Sequence, residues 1–271
     1  GYLSAVSYEG KVFAIGGQSK TSIASSVQVF DENTGTWTTA AQMSTARFGL
    51  ATAVSNQLIY AIGGEPFLSR PLASAEQYSP IADAWKTIAP LPDARGFTAA
   101  AATNSTVYVV GGRSSKGEAL SSMEAYNAQT NTWKSMPPLK TSRYGLGAAL
   151  FNDTIFAIGG GDSGNNPLAV VEQFEIATQT WRTIAPLNIP RYSPAVSVAN
   201  NLIYVIGGLS EGNQYTNSTE IYDPTTGVWT FGPSISTPCY GLAGSSIGNE
   251  VFVAGGVTDD SFLSTFQSLL V

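Results

Sequence analysis

Residues 143–190 read RYGLGAALFNDTIFAIGGGDSGNNPLAVVEQFEIATQTWRTIAPLNIP. The run Tyr144 to Phe151 is small and apolar, and Asn152-Asp153 supplies the residues of a tight hairpin turn. Thr154 to Ile158 makes a second short strand that stops at Gly159-Gly160. After a polar loop, a third strand is expected around Val170 to Phe174. Ile176 to Thr180 then turns the chain and Trp181 sits on a fourth strand. Pro186 and Pro190 mark the connection onward. Nothing in the stretch carries the 3.6-residue periodicity of a helix.

The same pattern recurs along the chain. An aromatic–apolar–apolar–Gly–Gly unit closes at Gly17, Gly64, Gly112, Gly160, Gly208 and Gly256, with a first step of 47 residues and later steps of 48. Trp37, Trp85, Trp133, Trp181 and Trp229 keep the 48-residue step, as do Arg47, Arg95, Arg143 and Arg191, with Cys239 in the fifth place. A fixed period of this length is the mark of a repeat architecture. A four-stranded antiparallel sheet cannot bury both faces alone. Six of them stacked around an axis can, and closing the ring leaves only short, protected edges. Residue size agrees, because the first strands are built from small residues such as Ala51-Thr52-Ala53, Ala99 to Ala102 and Gly147-Ala148-Ala149. Bulky side chains would collide there, where blades converge, whereas the tryptophans fall on outer strands, where blades diverge. The expected fold is all-β: a six-bladed β-propeller with four-stranded antiparallel blades, forming one domain over residues 1–271.

Together these markers resemble the Kelch family over the whole chain. They are the double glycine, the spaced Trp and the Glu-x-Tyr step at Glu76-Gln77-Tyr78, Glu124-Ala125-Tyr126 and Glu220-Ile221-Tyr222, with Phe174 following Glu172. Gln28 and Ser268 depart from the Glu pattern. The resemblance is specific for fold and says little about function, because one fold hosts many. The last repeat is incomplete, since its Trp would fall beyond Val271, and Gly1 aligns with Phe48, one residue after the repeat's Arg. The last blade is therefore expected to lack its outer strand in this chain. The sequence resembles either a fragment trimmed of that strand or a propeller that closes with a three-stranded blade.

Composition narrows the function classes. The chain holds no run of 18 apolar residues, so no membrane-spanning helix is expected. Net charge is −6 with 12% charged residues, which gives no basic face for nucleic acid. There is no histidine, which removes His-based triads, His-ligated metals and the copper site of propeller-type sugar oxidases. No cofactor or metal is expected. One cysteine, Cys239, forms no internal disulfide. Sequons begin at Asn104, Asn152 and Asn217, near the number that chance gives in a chain this rich in Ser and Thr.

Strand order places the loops. With the first strand running from face X to face Y, the loops after each Gly-Gly and the loops carrying each Arg share face X. Face Y keeps tight turns such as Asn56-Gln57, Asn200-Asn201 and Asp223 to Gly227. Varied loops are where function usually sits. Arginine forks suit carboxylates and phosphates. In Kelch adaptor proteins the Arg opening the inner strand and the residue after Gly-Gly line a peptide pocket. By that resemblance Arg47, Arg95, Arg113, Arg143 and Arg191 are candidate contacts for an acidic peptide or other anionic ligand. The alternative is that the periodic Arg pairs with backbone carbonyls or with the periodic glutamates, once per blade. Tyr144, Tyr192 and Tyr240 sit beside the Arg positions, with Phe48 in the matching place, either as ligand contacts or packed under the loops. Tyr215, Phe67 and Phe262 fall in polar X loops, as do the acidic Glu65, Glu118, Asp162, Glu211, Asp259 and Asp260.

The leading functional expectation is a non-enzymatic protein-interaction module, a monomeric domain of a larger protein. It would take a protein or peptide partner, with no nucleic acid and no membrane insertion. The alternative is a carbohydrate-binding or sugar-mutarotase-like Kelch protein, since bacterial six-bladed members include a mutarotase for an acidic sugar. There Glu65, Glu118 or Glu211 would be the acid/base. Low charge with abundant Ser, Thr, Asn and Gly leans towards a secreted or surface protein over a cytoplasmic one.

Overall fold

The computed structural model describes residues 1–66, 70–259 and 261–270, so Phe67 and Asp260 lie outside the described residues. Short alternating strands form six antiparallel blades, 1 (4–40), 2 (51–88), 3 (99–136), 4 (147–183), 5 (195–232) and 6 (240–270), with a further two-stranded hairpin in the blade 5 loop. Blades 1 to 5 have four strands each, paired in simple meander order. Blade 6 has three among the described residues: Tyr240–Ile247, Glu250–Val257 and Phe266–Leu270. The fold is thus a six-bladed β-propeller, with the sixth blade short of an outer strand as the repeat count implies.

Blade 4 shows how local sequence sets a blade. Gly147–Phe151 pairs with Thr154–Ile158 through Asn152 and Asp153, whose φ angles of 45° and 58° are those of a type I′ hairpin turn. Val171–Glu175 and Thr180–Thr183 follow. The third strand begins one residue later than the sequence indicates. The one helical turn among the described residues is Glu211–Asn213, inside the blade 5 loop.

Blades pack face to face through apolar side chains. Between blades 3 and 4, Val110 and Met123 meet Ile155, Ala157 and Phe174, all fully buried or nearly so. Each of the larger side chains, Val110, Met123, Ile155 and Phe174, stabilises the ring by about 1.5–3 kcal/mol. The innermost strands line a central channel, and at Gly147 a Cβ would stand 2.1 Å from Val196, which explains the small residues there. The tryptophans lie on outer strands as expected, and the indole N–H groups of four of them staple neighbouring blades. Trp85, Trp133, Trp181 and Trp229 donate to the carbonyls of Ala41, Ala89, Pro137 and Ala185 at 2.8–2.9 Å.

The double glycine has a similar inter-blade role. The amide of Gly160 donates to the Arg191 carbonyl at 2.9 Å, and a Cβ on Gly159 would lie 2.6 Å from that oxygen at φ +60°. The same bond recurs from Gly17, Gly64, Gly112 and Gly208, the last to the Cys239 carbonyl. Blades 6 and 1 meet through an aromatic cluster in which Phe266 packs on Phe30, Trp37 and Phe252.

Candidate functional site

Face X is confirmed as the shared side of the Arg loops and the loops after Gly-Gly, because the bonds just described join them. The direction of the arginine side chains departs from the expected ring at the mouth. Arg47, Arg95, Arg143 and Arg191 are each 0% exposed. Arg191 donates to the carbonyls of Gly207 and Ser218, to the Ser218 hydroxyl, and to Glu220 Oε1 at 2.8 Å. Glu220 in turn accepts from the backbone of Asn188 and Ile189 in the linker entering the blade. Arg47–Glu76 and Arg143–Glu172 repeat the arrangement at 2.8 and 3.1 Å. The fork points into its own blade because carbonyls beside the double glycine keep a free lone pair there, and a buried carboxylate completes the set. These four arginines are internal struts, and the anion-binding ring expected of them is absent from the surface. Burial pulls the Arg143 guanidinium down to about 10, leaving it cationic at neutral pH. In blade 6 both partners of the strut change, with Cys239 and Ser268 in the Arg and Glu places.

What does ring the mouth is aromatic. Tyr2, Phe48, Phe97, Tyr144, Tyr192 and Tyr240 form a closed circuit of ring contacts, with successive centroids 5.5–6.2 Å apart. Each blade gives one ring from one of two adjacent positions. The pairs are Gly1-Tyr2, Phe48-Gly49, Gly96-Phe97, Tyr144-Gly145, Tyr192-Ser193 and Tyr240-Gly241. The second residue of every pair has φ between +50° and +63°. That conformation suits glycine and is unusual for Tyr2, Phe97 and Ser193. It is enforced by a backbone circuit in which Gly49, Phe97, Gly145, Ser193, Gly241 and Tyr2 each donate an amide to the preceding member at 2.6–2.9 Å. Six unidirectional bonds, one per blade, close the propeller at this mouth, the blade 6 to blade 1 junction included. Tyr2 also reaches Phe97, 5.4 Å away, so the rings cover the channel, whose upper cavity of about 160 Å³ lies directly beneath.

The sequence reading found Phe48, Tyr144, Tyr192 and Tyr240 at this place and missed Tyr2 and Phe97. Those two lie one residue off the period, and the signal that finds them is the compensating glycine before each. Tyr144 is buried, its hydroxyl bonded to Asn165, while Tyr192 and Tyr240 are half-buried. Burial pushes the Tyr192 hydroxyl up to about 12, and a bond to Asp259 does the same for Tyr215. These phenols therefore stay protonated and able to donate. Tyr215 stacks on Tyr240 at 5.4 Å and an interplanar angle of 7°, carried by the short hairpin of Leu209–Ser210 and Gln214–Tyr215.

A second circle lies just outside the collar, where the residues after Gly-Gly form backbone bridges to it. Arg113 is the candidate arginine that reaches this surface, with its side chain 32% exposed. Its guanidinium lies 4.8 Å from the Phe97 centroid and 5.7 Å from that of Tyr144. One terminal nitrogen binds both oxygens of Glu65 at 2.9 and 3.1 Å. Glu65 is itself 2% exposed and fills the space left by Gly96, where a Cβ would stand 2.6 Å from it. A carboxylate held this way is a poor acid/base for sugar chemistry. Glu118 and Glu211 are exposed on separate loops. The structure therefore brings together Arg113, Tyr144, Tyr192 and Tyr240, and turns the other four candidates inward.

A family model described as the KLHDC2/KLHL20/DRC7 Kelch-repeats domain matches residues 82–256, and a Kelch motif model matches residues 1–44 and 46–92. Among solved structures, the chain is similar to the one titled "Structure of YjhT", with a TM-score of 0.87 and 13% identity. The match covers 100% of this chain and 94% of that one. At that identity the likeness bears on the fold alone. No curated protein matches the chain.

Proposed function

This chain belongs to the Kelch-repeat family, and from that premise we propose that it is a binding module that docks a protein or peptide partner on the aromatic collar of face X. Kelch propellers generally mediate binding. The observation that carries the reading is the collar itself: six rings, one per blade, fixed by a continuous backbone hydrogen-bond circuit on the face that bears the varied loops. Rigid aromatic area with polar tips is what recognition surfaces concentrate. Little side-chain entropy remains to be lost there, because the collar is already ordered by its neighbours.

An anionic group of the partner would meet Arg113, held beside the rings of Phe97 and Tyr144 and offering donors beyond the nitrogen bound to Glu65. Arg113, Tyr144, Tyr192 and Tyr240 are the proposed contacts, with Tyr2 and Phe97 added. The sugar-directed alternative shares the aromatic surface but lacks a poised acid/base, because Glu65 is locked in its ion pair. Binding without catalysis is the better-supported reading.

The test is selection of a random-sequence peptide display library on the immobilised propeller. Enriched peptides should lose at least about tenfold in affinity for Tyr192→Ser/Tyr240→Ser, as truncation of central aromatic contacts does. They should keep it for Asn104→Gln/Asn152→Gln on face Y. Peptides that bind the collar variant unchanged, while its circular dichroism stays native, would remove the collar from the site.

A further inference from the structure

The charges on face X are unevenly shared between the two halves of the ring. Around blades 1 to 3 the described loops carry Lys20, Arg70, Arg113, Lys116 and Lys140, against Glu65, Asp93 and Glu118. Of these, Glu65 is neutralised by Arg113, while Lys20, Arg70, Lys116 and Lys140 are exposed against the exposed Asp93 and Glu118, an excess of two cations. Beyond Arg191 the balance inverts. Residues 192–271 contain no Lys or Arg and six carboxylates, of which Glu220 is buried against Arg191. Around blades 4 to 6, face X presents Asp162, Glu211 and Asp259, with Lys140 at the seam between blades 3 and 4 and no cation beyond Arg191 among the described residues.

The second circle divides in the same place. The residue after Gly-Gly is Gln18, Glu65 and Arg113 in blades 1 to 3, and Gly161, Leu209 and Val257 in blades 4 to 6. On the acidic half the tyrosines gather: Tyr192 and Tyr240 are in edge contact, Tyr215 stacks on Tyr240, and the Tyr215 hydroxyl donates to Asp259. Phenol faces and carboxylates side by side attract cations by two independent means, the ring quadrupole and direct charge. An aromatic plate lies at the centre, with a positive flank on one side and a negative flank on the other.

Resting on the docking reading above, we infer that face X is a polarised platform. Its occupant is an extended segment of a partner protein, with a basic end over blades 4 to 6, an acidic end over blades 1 to 3, and an aromatic or apolar side chain on the collar between them. Complementary fields of this kind orient an incoming chain and penalise the wrong charge order. The flanks are exposed, so the preference weakens as salt shortens the screening length.

Three synthetic peptides of equal length test this, each with Gly-Phe-Gly at the centre and a neutral dye. One carries three Lys on one side and three Glu on the other, one carries Lys on both sides, and one carries Glu on both. In anisotropy titrations at about 50 mM salt, the mixed-charge peptide should bind at least about tenfold more tightly than either uniform peptide. The gap should shrink at about 300 mM salt. Glu211→Lys/Asp259→Lys should move the preference to the all-Glu peptide, and the milder Glu211→Gln/Asp259→Asn should flatten it. Equal or tighter binding of a uniform peptide, no binding by any of the three, or a preference indifferent to salt overturns the inference. Display-selected peptides that need the collar but show no charge order would leave the docking reading standing and remove the polarity. Failure to select collar-dependent peptides would remove the docking reading itself.

Discussion

Arg191 and Tyr192 are neighbours in sequence and have opposite fates. The guanidinium turns into blade 5 and is fully enclosed by Gly207, Ser218 and Glu220, while the ring of Tyr192 joins the collar at the mouth. The same split occurs at Arg143-Tyr144 and Arg47-Phe48. Residues that repeat faithfully satisfy a need that recurs in each blade, here the carbonyls beside Gly-Gly and a buried carboxylate. The collar repeats as a shape while its residues vary between Phe and Tyr and between two positions. Variation under a conserved shape leaves freedom for recognition, whereas strict repetition marks the scaffold.

Breaking a strut should have the largest effect. Arg191→Met leaves Glu220 buried without its cation, and removing one partner of a buried pair costs about 3–5 kcal/mol. Chemical denaturation should show that loss. The double change Arg191→Cys/Glu220→Ser, which copies the Cys239 and Ser268 pair of blade 6, should recover more than half of it. A stable Arg191→Met would sink the scaffold assignment.

Next in size is the contrast between struts. In blade 3 the Arg95 to Glu124 distance opens to 3.9 Å, and two guanidinium nitrogens of Arg95 find no hydrogen-bond partner. The cause is visible three residues before Arg95. Ser44, Lys140 and Asn188 each donate a backbone N–H to the strut glutamate, but the matching residue before blade 3 is Pro92, which has none. Glu124 turns instead to the Ser135 hydroxyl at 2.9 Å. Arg95→Met should therefore cost about 1–2 kcal/mol less than Arg191→Met, because less bonding is lost. Equal losses from the two variants would show that the geometry of the pair does not set its worth.

The collar offers a smaller change of opposite sign. Ser193 holds φ +50° where Gly49, Gly145 and Gly241 occupy the same step after an aromatic residue. Ser193→Gly removes a left-handed strain of about 1–2 kcal/mol and adds unfolded-chain entropy of about 0.5–1 kcal/mol. The midpoint of denaturation should stay level or rise slightly, with the collar contacts intact. A clear fall would mean that the Ser193 side chain has a role in the collar that its backbone does not reveal.

The sequence made six blades, their strand order and the outer-strand tryptophans legible, because period and residue size reflect packing that repeats. It also placed the Arg positions on the correct loops. It left the direction of those side chains undecided, because a period of 48 reports register and not which way a fork turns. The pairing of Cys239 with Ser268, 29 residues on as Glu76 is from Arg47, was a readable hint that the arginine serves the glutamate. Tyr2 and Phe97 escaped because a left-handed backbone step moves a ring by one residue without moving it out of the collar. No periodic rule anticipates that exchange.

The finest version of the contrast lies at the outer hairpins, where repeat partners differ only in charge. Asp83 accepts the Ala41 amide at 2.7 Å and the Tyr78 hydroxyl at 2.7 Å. Asn131, its counterpart in blade 3, accepts the Ala89 amide and the Tyr126 hydroxyl in the same way at 2.8 and 2.9 Å. Donation to the carboxylate by the Ala41 amide first, then by the Tyr78 hydroxyl, holds Asp83 below the ordinary value of 3.8. A depressed carboxyl contributes stability that is present above its unfolded value and is lost as pH falls through its folded value. Asp83→Asn keeps an oxygen in place for both donors and removes the proton equilibrium. Its midpoint of thermal unfolding at pH 7 should match the parent, and its decline below about pH 4 should be shallower. Asp83→Ala should lose stability at pH 7, since both donors then go unpaired. If Asn and Ala behave alike at neutral pH, then the charge of Asp83 supports the blade junction, and the likeness to Asn131 is one of shape alone.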